Sequence, residues 1–382
     1  MANPETPASP AEPRDAARNA AREQDVTRDA ARERDAAREA AARDAANEAA
    51  WAVVERDAAR EIAARFQGLR PSGSDGFYEA LARHKAHLVD HPCLPMHFEY
   101  AVTANDRGRR AADRILHAAP FPSKRLRWLR RRPRVLDIGC AYGGFLVAFA
   151  ERGARVTGIE VDKRYLDLAQ VNLREQGVDA ELVEGDATYP KRWFRGRFDL
   201  LVANDVVEHV ISLEGFLGNI RDWLAPGGVA YLEIPNGAQP HYVIADGHYA
   251  LFGITLLEFD RAREYFLALN PKGVFDTYRY PTIEEYRAAF RAAGLTFDVL
   301  EDTLSIPSLD VGHVETQLDQ LRSAAPDGLA RVPACSRALV AERLAAYLER
   351  ADAAPRRTEE EKRRFLLDYA PGFWMVLARR AS

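Results

Sequence analysis

Six short apolar runs, rich in β-branched and aromatic residues, recur between Arg134 and about Thr303: RVLDIG, RVTGIEV, AELVEGD, FDLLVANDV, GVAYLEIPN and TFDVLED. Between them the apolar positions return every three or four residues. In DKRYLDLAQVNLREQG this spacing predicts a helix, with Asp162 as its N-cap and Gly177 as its stop. In SLEGFLGNIRDWLAPGG, residues Leu213, Phe216, Leu217, Ile220 and Leu224 share one helical face. A seventh strand-like run extends from Gly372 to Arg380. Strands that are apolar along most of their length and alternate with helices predict an α/β fold. Its sheet should be doubly wound, mostly parallel and covered on both faces.

The pattern before residue 134 is different. Residues 1–13 are rich in Pro, Ala and Glu and should be disordered. Residues 14–67 contain neither Gly nor Pro, and DAAR recurs from Asp15, Asp29, Asp35 and Asp57. That composition predicts a long, charged, Ala-rich helix of roughly 80 Å at ~1.5 Å per residue. Its front offers too little apolar surface for a strong coiled coil. Its rear carries a stripe of Trp51, Val54, Ala58, Ile62 and Phe66 that should pack, and a homo-oligomer through this helix is one expectation. Residues 68–133 read as a linker, GLRPSGSDG, followed by a helical lead-in. The lead-in ends in KRLRWLRRRPR from Lys124 to Arg134, in which seven of eleven residues are basic. A solvated ramp into the first strand is preferred there over a nucleic-acid contact.

Composition narrows the class without naming it. A net charge of −4 provides no global field for nucleic acid or anionic membrane. Three scattered cysteines, Cys93, Cys140 and Cys335, exclude a disulfide framework and fit a reducing interior. No secretory signal is read at the start, and no apolar run is long enough to span a bilayer. The expectation is a cytoplasmic protein without a transmembrane segment.

The chemistry concentrates where VLDIGCAYGG turns from the first strand into the helix GFLVAFAERG. Such a turn, at the carboxyl end of a parallel strand, is where open α/β sheets bind ligands. Glycine there lets backbone approach a ligand, and the helix start offers free N–H donors. Glu160 ends the second strand, about twenty residues past Gly139, as an acid gripping a ribose diol would. Asp186 ends the third and could accept from an adenine amino group. Asp137 beside the turn suits a cationic amino-acid moiety and repels a phosphate. Together the three acids point to an adenosine ligand without a pyrophosphate.

VLDIGCAYGG, GIEVD, EGDAT, NDVVEHV and LAPGGVAYLEIPN stand in the order of the five motifs of the class I S-adenosylmethionine-dependent methyltransferases, which this sequence resembles over Arg134–Asp302 plus the last strand. The resemblance implies a Rossmann-like methyltransferase fold with a seven-stranded sheet and an antiparallel last strand. The domain would span 134–382, with helical insertions at 237–280 and 304–371. It also implies that Asp137, Gly139, Cys140, Ala141, Gly143, Glu160, Val161, Asp186, Ala187 and Asn204 bind S-adenosyl-L-methionine. Ala141 replaces the usual third glycine of the turn, which an alanine tolerates if its φ is negative.

Methyl transfer to a hydroxyl benefits from a base. Asp205, Glu208 and His209 have the i, i+3, i+4 spacing of one helical face, and His241 and His248 follow the fifth strand. This set resembles that of the ubiquinone-biosynthesis-type O-methyltransferases and of small-RNA 2′-O-methyltransferases, where an acid-x-x-acid-His run and a later histidine hold a metal. Three roles stay open: Asp205, Glu208 and His209 as ligands of a divalent ion (Mg or Zn), one of His209, His241 and His248 as the base, or a purely structural role in which Glu208 and His209 shape the pocket. The acceptor is expected to be a hydroxyl on a small molecule, sugar, glycan lipid or secondary metabolite. An RNA-modifying enzyme and a non-catalytic adenosyl-binding module are the alternatives.

Overall fold

A computed structural model of the chain describes residues 54–90, 94–118, 132–271, 273–301 and 310–381. The stretch 1–13, the rod before residue 54, most of the Lys124–Arg134 run and the start of the 304–371 insertion lie outside the described residues.

Alternation along the strands builds the sheet. In β1 (Arg134–Ile138), Leu136 and Ile138 enter one apolar cluster while Val135 enters a second. In β4 (Phe198–Asn204), Leu201 and Ala203 join the first and Leu200 and Val202 the second. β5 (Leu224–Pro235) divides likewise between Ala230, Leu232, Ile234 and Val229, Tyr231. Successive side chains point to opposite faces, so strands apolar on both sides need helices on both. The seven strands run in the order β3-β2-β1-β4-β5-β7-β6, with β2 spanning Arg155–Glu160 and β3 spanning Ala180–Glu184. The first five are parallel. β7 (Phe373–Ala378) pairs antiparallel with β5, Glu233 opposite Met375. Of the described residues of TFDVLED, Asp298–Val299 form β6, antiparallel to β7.

The expected boundaries hold around the first helix read from sequence, whereas in the second Leu224, expected on the helical face, is already the first residue of β5. Asp162 caps α6 (Lys163–Glu175) by accepting from Arg164 N, and Gly177 beyond its end has φ +63°. Ser212 caps α7 (Leu213–Trp223), whose Phe216, Leu217 and Ile220 are buried.

The described residues fall into two compact units, one of 54–67 with 82–90, the other of 68–81 with 95–381. In the first, the helix α1 (54–65) buries Ala59 and Ile62 and half-buries Ala58, while Val54 is exposed. Within the described residues the expected stripe is therefore apolar cover from Ala58 onward, and Trp51 lies outside them.

Along the chain α2 (Asp75–His84), α3 (Leu94–Val102) and α4 (Ala104–Ala118) precede the sheet. α4 meets α5 (Gly144–Glu151) backbone to backbone. A Cβ on Gly108 would stand 2.3 Å from Gly144 O, and one on Gly144 2.3 Å from Ala104 O. Only glycine fits at either place. After β5 come α8 (Pro240–Ile244) and α9 (Phe259–Leu269), then α10 (Ile283–Ala292) before β6. Between β6 and β7 lie α11 (Val311–Arg331), α12 (Ala334–Ala353) and α13 (Glu359–Tyr369). α12 contains the amphipathic run Arg337–Arg350 and buries Val340, Leu344 and Tyr347. No helix among the described residues is long and apolar enough to cross a membrane.

Candidate active site

The glycine turn behaves as its sequence suggests, with one correction. Gly139 and Gly143 adopt φ +68° and +77°, and Gly139 N donates to Ile159 O at 2.8 Å. Ala141 also has positive φ, +41°, so the turn keeps its left-handed backbone even where alanine replaces glycine. The cost of order 1 kcal/mol for such an alanine is offset locally. Its N–H donates to Glu160 Oε2 at 3.1 Å, and Glu160 Oε1 accepts from Val161 N (2.8 Å) and Asp162 N (3.2 Å). Glu160 thus ties the first loop to the second while Oε2 keeps capacity for one more donor.

Asp137 is buried, and that burial, followed by the nearby Glu160, pushes its carboxyl well above the usual carboxylate range. Cys140 is buried behind the turn, its thiol raised first by burial. Asp186 Oδ1 accepts from both Thr188 N and Thr188 Oγ1 at 2.7 Å, which folds the third loop. Ala187 O accepts from Asn219 Nδ2 at 2.8 Å. Val161 stands 66% exposed at the end of β2, an apolar surface open to a flat ring.

Sequence reasoning missed Arg107. It projects from α4, its guanidinium 3.4 Å from the Tyr100 ring centroid, and Nη2 donates to Tyr100 O at 2.9 Å. Its buried Nε has no hydrogen-bond partner among the described residues. The Gly108–Gly144 contact beside it was the available signal: a glycine pair that seats α4 on the turn.

At the ends of β4 and β5 the expected helical face does not form. Asp205 has φ +53°, and the chain then makes a single 3-10 turn, Val207–His209. The left-handed residue swings Asp205 away from Glu208 and His209. It accepts instead from Asn204 Nδ2 at 2.9 Å and Tyr100 Oη at 3.4 Å. Burial, then Glu208 and Glu233, push its carboxyl up to about 7. Glu233 is held by Arg114 at 3.2 Å and by the Tyr231 hydroxyl.

Glu208, His209 and His248 come together in its place. Glu208 Oε1 lies 3.6 Å from His209 Nε2 and 3.5 Å from His248 Nε2, and the two Nε2 atoms are 3.1 Å apart. Apart from these two imidazoles, the buried Glu208 carboxylate has no hydrogen-bond partner among the described residues. His209 Nδ1 lies 3.0 Å from Asp276 O. A carbonyl only accepts, so Nδ1 carries the proton and Nε2 of the neutral ring presents its lone pair inward. His248 Nδ1 lies 2.9 Å from Tyr280 Oη. Burial draws the His248 imidazole down, but Glu208, then Asp246 and Asp205, outweigh it and leave it raised. Asp246 also fixes the loop, accepting from His248 N, Tyr249 N and Leu251 N at 2.9–3.0 Å. His241 does not join them; it is exposed on α8. Beside the cluster a pocket is lined by Tyr249, Phe275, Tyr278, Tyr280, Ile254 and Leu257.

A methyltransferase-domain family model matches residues 104–300, just over half of the chain. The chain belongs to that family. This S-adenosylmethionine-dependent methyltransferase is 29% identical over 205 residues to the "Ubiquinone biosynthesis O-methyltransferase" of Thiobacillus denitrificans, covering 51% of this chain and 80% of that one. It is 30% identical over 176 residues to the protein of the same name from Pseudomonas aeruginosa, covering 45% and 70%. Among solved structures, an S-adenosylmethionine dependent methyltransferase from Mesorhizobium loti aligns at 20% identity and a TM-score of 0.36, covering 65% of this chain and 91% of that one.

Proposed function

We propose that the methyltransferase moves the methyl group of S-adenosylmethionine to a hydroxyl oxygen of a small-molecule acceptor held against Glu208, His209 and His248. Glu208 carries the reading. A carboxylate this buried, with only two imidazoles beside it, costs several kcal/mol unless a cation or a ligand proton completes it. The names of the relatives support oxygen as the methylated atom. The aromatic lining of the adjacent pocket suits a flat aromatic or sugar ring.

The cofactor-binding set is the turn Asp137, Gly139, Cys140, Ala141 and Gly143, with Glu160 for the ribose. Val161, Asp186 and Ala187 would frame the adenine, and Asn204 would bound the far side. Asp137 would face the methionine ammonium, and Arg107 is the cation available to its carboxylate. The acceptor oxygen attacks the methyl carbon in line, the C–S bond breaks with its electrons passing to sulfur, and the hydroxyl proton must leave. The bare Nε2 of His209, beside the His248 ring, is placed to receive it.

The same donors fit a divalent ion. Two imidazole nitrogens and one carboxylate oxygen are ligands taken by zinc and related first-row ions, whereas magnesium prefers oxygen alone. Glu208, His209 and His248 would hold the ion, and Asp205, turned away, would not be a direct ligand. When bound, such an ion acidifies a coordinated hydroxyl. The test is methyl transfer from labelled S-adenosylmethionine to a panel of phenolic and sugar hydroxyls, before and after EDTA. Transfer abolished by EDTA with cofactor binding intact supports the ion, and transfer indifferent to EDTA but lost in His209→Ala supports the base. Transfer to no hydroxyl of the panel, with amine acceptors methylated instead, would refute the reading.

A further inference from the structure

One loop, 245–253, joins α8 to the rest of the acceptor region. It carries His248 into the cluster, and it places Tyr249 and the following Ile254 in the wall of the adjoining pocket. Its backbone is strained, with Ala250 at φ +54° and Gly253 at φ +71°. From within, the Asp246 carboxylate gathers His248 N, Tyr249 N and Leu251 N, and Gly253 N donates to Val243 O at 2.7 Å.

What holds the loop from behind lies beyond residue 300, where the match to the methyltransferase-domain family ends. Phe252 is 3% exposed and packs on Gly328 of α11. A Cβ on Gly328 would stand 2.3 Å from Phe252 Cδ2 and 2.5 Å from its Cε2. A Cβ on Gly253 would stand 2.6 Å from Val340 Cγ1 of α12. The Tyr347 hydroxyl, also of α12, donates to Ala238 O just before α8 at 2.7 Å. One turn of α11 contains both Pro326 and Gly328, the two residue types that weaken a helix interior most. Gly328 stands there because an aromatic ring must reach the helix backbone.

Phe252 follows Leu251, the last of the three N–H groups on Asp246, so a displaced ring pulls on the clasp that orients His248. We infer that Phe252 is a positioning residue through which α11 and α12 set where His248 and Tyr249 stand, and thereby which acceptors the enzyme takes. This rests on reading Glu208, His209 and His248 as the acceptor site.

The test compares the full wild-type chain with Gly328→Ala, Phe252→Leu and the double variant. Hydrogen–deuterium exchange, read by mass spectrometry on peptides spanning 245–253, reports the loop without any acceptor. Gly328→Ala should speed exchange there and leave the peptides of β1, β2 and β3 unchanged. Its kcat/KM for hydroxyl acceptors should fall by up to about 10²-fold, the cost of an ångström-scale misplacement, with the S-adenosylmethionine Kd unchanged. Phe252→Leu alone should loosen the same peptides and change the ranking of phenolic against sugar acceptors. In the double variant the smaller side chain makes room for the added methyl, so both readouts should return toward wild type. Wild-type exchange in Gly328→Ala, or a double variant no better than it, overturns the inference. Should Gly328→Ala not fold, unchanged exchange in Phe252→Leu overturns it instead. If His248→Ala transfers methyl as well as wild type, the acceptor reading falls, and the exchange comparison still decides the role of Phe252.

Discussion

At the ends of β1, β2 and β3 the crevice is lined by backbone that acids hold in shape; at the ends of β4 and β5 it is lined by side chains that hold one another. Glu160 and Asp186 spend most of their acceptor capacity on neighbouring N–H groups, so the first region is nearly satisfied by itself. Among the described residues Glu208 has no N–H partner of that kind, only the His209 and His248 imidazoles, whose facing nitrogens lie 3.1 Å apart. The first region is built to be occupied without changing. The second leaves a deficit that, in the proposed function, the acceptor or an ion would fill.

If this contrast is right, damage at one end should spare the other. Glu208→Gln should lower kcat by roughly 10²–10⁴, the span of a lost acid–base or metal role, with the S-adenosylmethionine Kd unchanged in calorimetry. A comparable loss of cofactor affinity would mean the two ends are one site. Gly144→Ala should act only on the first region. Its methyl would meet the Ala104 carbonyl at 2.3 Å, and thermal unfolding should report about 1–3 kcal/mol of destabilisation. Glu160→Ala should weaken cofactor binding by ~1–3 kcal/mol while kcat at saturating cofactor survives. Equal affinity in wild type and variant would remove Glu160 from the ribose.

Smaller effects separate the regions further. Asp205, pushed up to about 7 from an ordinary value of about 3.9, binds more protons folded than unfolded across that interval. Stability from this group therefore falls as pH rises from about 4 to 7. Asp205→Asn removes the penalty, so denaturant unfolding should show the variant gaining on wild type by on the order of 1 kcal/mol between pH 5 and pH 8. A gap that stays constant with pH would show the carboxyl is already ionised at pH 5. His241→Ala, on an exposed helix, should change neither turnover nor stability beyond ~0.5 kcal/mol. A larger loss of turnover would return His241 to the acceptor site.

The same contrast explains what the sequence disclosed. The cofactor region is written in contiguous stretches, because each of its acids acts on backbone within a few residues or at the end of the next parallel strand. Gly139, Glu160 and Asp186 could therefore be put at the strand ends from the strand pattern, where the structure has them. The acceptor region draws on residues 205–209, 246–249 and 276–280, and no spacing connects these. Its helical face failed because Asp205 is left-handed, a conformation aspartate adopts often enough to be tolerated but not often enough to be read. Tyr280 and Asp246 act through geometry between loops, and His241 looked equal to His248 until α8 turned it outward. Ala141 was misjudged for a related reason: the support for its positive φ is Glu160, nineteen residues away. The reversed end of the sheet was legible in kind, although the described residues of TFDVLED yielded two residues of strand where seven were read.

That two-residue strand has a consequence for the molecule in a crowded solution. A sheet exposes unpaired N–H and C=O groups along its outermost strands, and a long outer strand is a template on which another chain can add itself. Here one border is β6, too short to offer more than a pair of such groups, and the other is β3, whose Glu181 and Glu184 place charge along it. Brevity guards one side and repulsion the other, so a sheet of seven strands remains unattractive to its neighbours.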